Sequence, residues 1–193
     1  MADPIVTTLR CGMPLIAQPI PGMKSVGLTW LVSGGSAREP ENLQGLGAMW
    51  SELVFRGAGE LDSRAHADAL DTLGVGRSSS VGAHHLRLAF SMLGDTLHDA
   101  LALITPMVRA PRFDESSIDP VRELCVAAIE TLADEPQERA MLGLRAHHNA
   151  APFNRSGMGT IEGLRRITRF EVAEEWSRLA RPGGSILAVA GDV

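Results

Sequence analysis

The alternation of apolar and polar residues predicts four strand regions along the chain. Residues 7–20 read as a strand, a tight turn at Cys11-Gly12 and a second strand. Residues 25–33, with the sequence S-V-G-L-T-W-L-V-S, are rich in apolar and β-branched residues and precede two glycines, which predicts a central strand. Residues 77–92 and 185–190 form the remaining strand regions.

Apolar residues at helical spacing predict seven helices among these strands. The predicted helices span residues 43–56, 63–73, 97–108, 116–133, 136–147, 161–165 and 170–179. The long helix 116–133 carries an apolar stripe that includes Val121, Cys125 and Ala128. Strands and helices in this order favour an α+β fold, in which a mostly antiparallel sheet packs against helices. We expect residues 1–193 to form one domain.

Charge and hydropathy narrow the classes of function. The chain has 193 residues and a net charge of −5, with acidic and basic residues interspersed. We expect no nucleic-acid partner, because such proteins present a clustered basic face. No apolar run reaches membrane-spanning length and the N-terminus lacks a signal-peptide pattern, so we expect no membrane contact and a cytoplasmic location. Cys11 and Cys125 form no C-x-x-C motif, which favours reduced, partly buried thiols over a disulfide.

Residues 45–59 carry the strongest single motif in the chain. They read G-L-G-A-M-W-S-E-L-V-F-R-G-A-G, which resembles the signature helix of the pitrilysin/insulinase family of zinc metallopeptidases, a family that includes the mitochondrial processing peptidase. The matching residues are Gly45, Leu46, Gly47, Phe55, Arg56, Gly57 and Ala58. The resemblance implies that Ala48 replaces the first zinc-binding histidine, Ser51 the catalytic glutamate, and Glu52 the second histidine.

The chemistry of such a helix depends on all three of these residues. Histidines at positions i and i+4 lie on one helical face, so both can bind one zinc ion. The neighbouring glutamate takes a proton from zinc-bound water, whose pKa the metal lowers to about 7. Ala48 has no donor atom, and the hydroxyl of Ser51 is not a base near neutral pH. Glu52 offers one carboxylate, which does not complete a tetrahedral site, so we expect neither a metal nor a catalytic residue here.

The resemblance extends over almost the whole chain. It rests on the order and spacing of segments 35–46, 109–114, 134–136, 159–168 and 190–193, in addition to the helix. It implies that the third zinc ligand, a glutamate on the long helix, falls at Ala128, and that a supporting glutamate falls at Val121. It also implies the half-domain fold of the processing-peptidase type, as the N-terminal half of a longer protein that continues beyond Val193.

A second motif concerns peptide binding. Members of the family pair peptides with an exposed strand that follows Leu-Gly and carries an Asn-Ala-x-Thr pattern. Here Leu73-Gly74 leads to small residues without the Asn or Thr; the candidate peptide-binding residues are Ser78, Ser79, Ser80 and Val81. Strand addition uses main-chain groups, so the altered side chains leave peptide binding open.

The paired histidines do not predict a different metal site. His84 and His85 are adjacent on a predicted strand, so their side chains point to opposite faces. His147 and His148 lie near a helix end, where imidazole can interact with free carbonyls. A new zinc site formed by Glu52 and a distant histidine is the less favoured interpretation, because a catalytic site needs about three ligands.

These observations favour a non-catalytic homologue or subunit of a zinc metallopeptidase, which binds peptides or assembles with an active partner. The expected partner is a zinc-containing homologous subunit or a second half-domain; we expect no cofactor in this chain and zinc in its active relatives. Two alternatives stay open. One is a structural subunit similar to respiratory-complex core proteins, and the other is a metalloendopeptidase with unconventional ligands.

Overall fold

A computed structural model describes residues 3–193, and a six-stranded mixed sheet lies at its centre. The strands are β1 (Ile5–Thr8), β2 (Pro14–Pro19), β3 (Ser25–Ser33), β4 (Gly76–Val81), β5 (His85–Leu93) and β6 (Ile186–Gly191). They lie in the order β1-β2-β6-β3-β5-β4. Within the described sheet, β2 and β6 are parallel and every other neighbouring pair is antiparallel. The predicted α+β fold with a mostly antiparallel sheet is confirmed.

The helices cover one face of this sheet and enclose the core against it. They are α1 (Leu46–Leu53), α2 (Ser63–Thr72), α3 (Leu97–Arg109), α4 (Glu115–Thr131), α5 (Pro136–His148), α6 (Ile161–Arg166) and α7 (Arg169–Leu179). Strand β3 shows which face is covered, because Val26 and Leu28 are buried whereas Ser25 and Gly27 are exposed. An edge-to-face contact between Trp50 and Trp176, with ring centroids 5.5 Å apart, joins α1 to α7.

The boundaries predicted for the first helix were wrong at both ends. Instead of one helix over 43–56, a short 3₁₀ turn at Glu41–Leu43 is followed by α1, which begins at Leu46. Gln44 is extended, and Gly45 has φ of 123°, a backbone conformation that no helix contains. Beyond Leu53 the α-helix gives way to a tighter turn, in which the N–H of Arg56 donates to the carbonyl oxygen of Leu53 at 3.0 Å.

The strand region predicted at 77–92 is a hairpin of β4 and β5. The N–H of Gly82 donates to the carbonyl of His85 at 2.9 Å and closes the turn. His84 therefore lies in the turn and His85 begins β5, so the two histidines are not consecutive strand residues as predicted. Their ring centroids lie 6.3 Å apart.

Both cysteines are free thiols, in different environments. Cys11 is exposed in the turn between β1 and β2, whereas Cys125 is buried on α4. Across residues 3–193, no helix has both the length and the apolar character needed to cross a lipid bilayer.

Gly163 gives a test of how closely α6 packs on the chain before α1. A Cβ at this position would lie 2.2 Å from the carbonyl oxygen of Gln44, so alanine has no room. We expect Gly163→Ala to lower the free energy of unfolding by about 2 kcal/mol, although alanine otherwise favours helices. Gly143→Ala is the matched control on α5, where a Cβ meets nothing within 4 Å. It should be neutral or stabilise by up to about 1 kcal/mol; equal urea midpoints for the two variants would contradict the close packing.

Candidate functional site

A cavity of about 750 Å³ lies where α1, β4, α4 and α5 meet. Its wall contains all four positions that the sequence resemblance assigned to the zinc ligands and the base. These positions are Ala48, Ser51 and Glu52 on α1, and Ala128 on α4. Val81 at the end of β4 also lines the cavity, together with residues 156–158 of the loop before α6.

The N-terminus of α1 is fixed by a buried carboxyl group. Glu39 is only 4% exposed, and its two oxygens accept hydrogen bonds from the N–H groups of Gly45 and Gly47, each at 2.8 Å. These bonds satisfy N–H groups that have no partner within the helix. Burial raises the pKa of Glu39 to about 7, against the opposing effects of the two hydrogen bonds and of Arg155.

The polar groups of α1 in this cavity are a hydroxyl and one carboxylate. The Ser51 hydroxyl donates to the carbonyl of Ala48 at 2.7 Å, an intrahelical bond that occupies its proton. Ala48 presents a methyl group beside it. Ser51 and Glu52 are partly buried, so both are accessible from the cavity. A serine bonded in this way has no base to activate it as a nucleophile.

Helix α4 presents apolar groups to the same cavity. Ala128 is exposed at the cavity wall, and Val121, two turns earlier, is fully buried in the core. Cys125 lies between them on the cavity wall. Burial, reinforced by the nearby charge of Glu52, raises the pKa of the Cys125 thiol to about 11. This thiol is therefore protonated at neutral pH and is a poor nucleophile.

The donors at these positions do not fit a zinc ion. A structural or catalytic zinc site needs three or four nitrogen, sulfur or carboxylate ligands in tetrahedral geometry. The four positions here supply one carboxylate, one hydroxyl group and two methyl groups. Within the described residues 3–193, no three His, Cys, Asp or Glu side chains are grouped in a way that could hold a metal ion.

Two of the four histidines considered as alternative ligands, His85 and His147, lie within hydrogen-bond distance of carbonyl oxygens. Nε2 of His85 lies 3.0 Å from the carbonyl oxygen of Gly184, and Nδ1 of His147 lies 2.9 Å from that of Gly143. His147 is within the last turn of α5, as its predicted role at a helix end requires.

Strand β4 forms an edge of the sheet directly beside the cavity. Because Gly82 and His85 form a hydrogen-bonded pair, the alternation of an antiparallel ladder directs the main-chain groups of Ser78 and Ser80 toward β5. The main-chain groups of Ser79 and Val81 then point to the free edge. The side chain of Ser79 turns toward α1, where its hydroxyl donates to the carbonyl of Ser51 at 3.0 Å.

Comparison with known proteins identifies the family. The family described as Insulinase (Peptidase family M16) matches residues 16–160, a segment that contains α1, β4, α4 and the cavity. This chain therefore belongs to the M16 family. The resemblance deduced from its motifs is confirmed.

Curated relatives bear different descriptions. An uncharacterized zinc protease of Mycobacterium leprae is 23% identical over 188 residues, covering 97% of this chain and 42% of the relative. A protein of Helicobacter pylori named non-peptidase homolog YmxG is 18% identical over 161 residues, covering 83% of this chain and 37% of the relative. Bovine mitochondrial cytochrome b-c1 complex subunit 1 is 22% identical over 163 residues, covering 83% of this chain and 34% of the relative. This chain thus spans less than half the length of these relatives.

The fold agrees with a solved structure of the family. A crystal structure described as a peptidase M16 inactive domain from Pseudomonas fluorescens matches with a TM-score of 0.90 at 18% identity. The match covers 100% of this chain and 47% of that chain. It establishes the half-domain fold.

Several residues of the cavity could not be found from the sequence. Glu138 and Arg145 line it from α5, Glu135 lines it from the position just before this helix, and Met158 lines it from the loop before α6. Periodicity gave no sign of them, because no residue of α5 is buried and its apolar spacing is weak. Arg145 also lines a second cavity, which lies beyond the end of β4.

Proposed function

We propose that this chain is a non-catalytic member of the M16 family that binds an extended peptide along β4 and works beside a zinc-bearing chain of related fold. The observation that carries the proposal is the convergence of four positions in one cavity. Ala48, Ser51, Glu52 and Ala128 meet there without the side chains that zinc-dependent hydrolysis requires. The relative named a non-peptidase homolog, and the structure described as an inactive domain, support a role without catalysis.

The free edge of β4 supports peptide binding. An unpaired edge strand presents N–H and C=O groups that an extended peptide can satisfy by strand addition. Ser79 supplies both groups, and Val81 supplies its N–H, whereas the carbonyl oxygen of Val81 lies against Gly157; the main-chain groups of Ser78 and Ser80 instead bond to β5. In the register of the sheet, Ser79 pairs with buried Leu88, so its side chain faces the helices.

The cavity also supports peptide binding, because it offers space for side chains of the bound peptide. Alternate side chains of a strand added to β4 would point toward the helix layer, where the cavity lies. Its rim includes two exposed apolar residues, Leu124 at 47% and Met141 at 58%. Apolar side chains of a bound peptide would bury this surface, which adds to the main-chain hydrogen bonds.

The proposal predicts that removing one edge N–H weakens peptide binding. In Ser79→Pro the strand loses an N–H that faces outward, a position where proline is tolerated in edge strands. We expect affinity for an unstructured, dye-labelled peptide to fall about tenfold or more, measured by fluorescence anisotropy. The matched control Ser79→Ala loses only the hydroxyl and should bind within about twofold of the original protein. Circular dichroism and a thermal melt show whether both variants keep the fold.

Other results would favour the alternatives. Equal peptide affinity for Ser79→Pro and Ser79→Ala would place the peptide elsewhere. Failure of the original protein to bind any unstructured peptide would favour a structural subunit. Turnover of a fluorogenic peptide that a chelator abolishes would reject the non-catalytic role and favour unconventional ligands.

A further inference from the structure

A second cavity adjoins the first at the C-terminal end of β4. Its volume is about 550 Å³, and Val81 and Arg145 line both cavities. The rings of His84 and Phe153, whose centroids lie 5.1 Å apart, form part of its wall. A ligand lying along β4 therefore meets this second cavity at one of its ends.

The charged side chains of the second cavity are all basic. Arg145, Arg155 and His84 line it together with the amide of Asn149, and no Asp or Glu contributes to its wall. Among residues 3–193, neither arginine forms an ion pair with a carboxylate. No carboxylate of these residues therefore lies within salt-bridge distance of either guanidinium, although Arg155 is near enough to Glu39 to lower the pKa of that carboxyl group.

Arg155 is held in place by the loop before α1. Its Nη1 donates to the main-chain carbonyl of Glu39 at 2.7 Å, which fixes the guanidinium beside the cavity. The carboxyl group of Glu39 points instead to the N–H groups of Gly45 and Gly47. A pre-positioned guanidinium with remaining N–H donors is suited to bind a carboxylate through two parallel hydrogen bonds.

Gly157 limits how far a peptide can pair with β4. A Cβ at this position would lie 2.8 Å from the carbonyl oxygen of Val81, so the loop closely approaches the end of the strand. Main-chain pairing on the free edge therefore stops near Val81. The next group of the ligand then lies between the loop and the basic cavity.

We propose that this basic cavity binds a carboxylate at the C-terminal end of a peptide that pairs parallel to β4, and so selects peptides that carry negative charge there. The inference rests on the proposed peptide binding. Both a peptide C-terminus and an Asp or Glu side chain supply this group, and arginine binds either in the same bidentate manner. The first cavity carries two carboxylates, Glu135 and Glu138, at the start of α5, which is the opposite end of this helix from Arg145. The carboxylates of the first cavity and the arginines of the second cavity thereby distinguish the two ends of a charged peptide.

Three forms of one labelled peptide test this proposal. All share an unstructured sequence of about ten alanine, serine and valine residues, with the dye at the N-terminus. The first has a free C-terminus, the second has an amidated C-terminus and a penultimate glutamate, and the third is amidated with glutamine in its place. We expect the third peptide to bind about tenfold more weakly than the tighter of the first two. Which of the two binds more tightly identifies the source of the carboxylate.

Variants of α5 connect this preference to the cavity. Arg145→Gln should weaken the preferred carboxylate peptide about tenfold and leave the neutral peptide within about twofold. Arg139→Gln is the control on the same helix, since Arg139 lines neither cavity and donates to the carbonyl of Ala133. Arg145→Glu should reverse the preference toward a peptide with lysine near its C-terminus. Arg145 is exposed and forms no ion pair, so these changes leave the fold intact.

The outcomes separate this inference from the proposed function. If all three peptides bind with equal affinity, and Arg145→Gln changes none of them, the carboxylate site is wrong while peptide binding on β4 stands. If no peptide binds at all, the proposed function fails and the inference fails with it. A preference that persists in Arg145→Gln and in Arg145→Glu would place the carboxylate outside this cavity.

Discussion

A fourfold variant with Ala48→His, Ser51→Glu, Glu52→His and Ala128→Glu should acquire tight zinc binding, whereas the threefold variant without the change at 128 should not. All four positions line one cavity, so the new side chains share the same space. Two histidines alone leave zinc under-coordinated, and the glutamate on α4 completes a set of three. We expect at least about 100-fold tighter binding for the fourfold variant, because even the loss of an outer-shell partner costs about 10–100-fold.

Competition with a zinc chelator measures these affinities, and elemental analysis counts the metal in each purified protein. A matched control places glutamate one residue earlier, at Ala127, with the three α1 changes kept. Ala127 is exposed and about 100° away around α4, outside the cavity, so it should not restore affinity. Equal affinity for the threefold and fourfold variants would show that the third ligand was misplaced. Stoichiometric, tightly held zinc in the original protein would overturn the non-catalytic proposal.

The second large effect concerns Glu39 and the pH dependence of stability. Its pKa rises from 4.5 to about 7 on folding, chiefly because the carboxyl group is buried. The unfolded chain therefore releases this proton at lower pH than the folded protein does. The stabilisation linked to Glu39 is fully present below about pH 4.5 and is lost as pH rises through about 7. The shift corresponds to about 3 kcal/mol, at 1.36 kcal/mol per pKa unit.

Glu39→Gln removes this titration with little change of shape. Its amide oxygen can accept one of the two N–H groups at Gly45 and Gly47, so the variant carries a cost of about 1–3 kcal/mol that is independent of pH. We expect the free energy of unfolding of the original protein minus that of the variant to fall by about 3 kcal/mol from pH 4.5 to pH 8, so that it vanishes or changes sign. Urea unfolding across this range measures the difference, and other titrating groups cancel in it.

Glu171 provides a control, because its pKa shifts in the opposite direction from that of Glu39. Its carboxylate accepts hydrogen bonds from Thr168 at the start of α7, and the side-chain bond in particular lowers the pKa of Glu171. The stabilisation linked to Glu171 is therefore present above the pKa that this residue has in the unfolded chain, and it is lost as pH falls. This pH dependence is the reverse of that of Glu39. A difference curve for Glu39→Gln that is flat between pH 4.5 and pH 8 would show that burial does not shift Glu39 as described.

The fold class followed from local patterns, because each pattern has a direct structural cause, whereas the family followed from the resemblance of the motif at residues 45–59 and of the segments around it. The strand β3 alternates buried and exposed residues, and α4 has apolar residues at helical spacing. The ends of α1 did not follow, because apolar periodicity continues through residues 43–56 while the backbone leaves the helical conformation at Gly45. The position of Glu39 against that helix end could not be predicted from the sequence either, since its hydrogen bonds depend on how the preceding loop folds back.

The candidate site was predictable in part. Ala48 and Glu52 lie one turn apart on a helix, so their shared face follows from spacing alone. Ala128 is far away in sequence, and only the resemblance connected it to them; the structure places it on the wall of the same cavity. The edge position of β4 required the sheet order, in which β4 is the last strand beside β5.

The sequence by itself determined which side chains stand at the ligand and base positions, and therefore which chemistry they can perform, because donor atoms are properties of single residues. The tertiary structure decided which groups share a cavity. It placed α5 and the loop at 149–159 over the end of β4 and so brought Arg145 and Arg155 together beside His84. Such proximity arises from packing between segments distant in the chain, and no local pattern of residues encodes it.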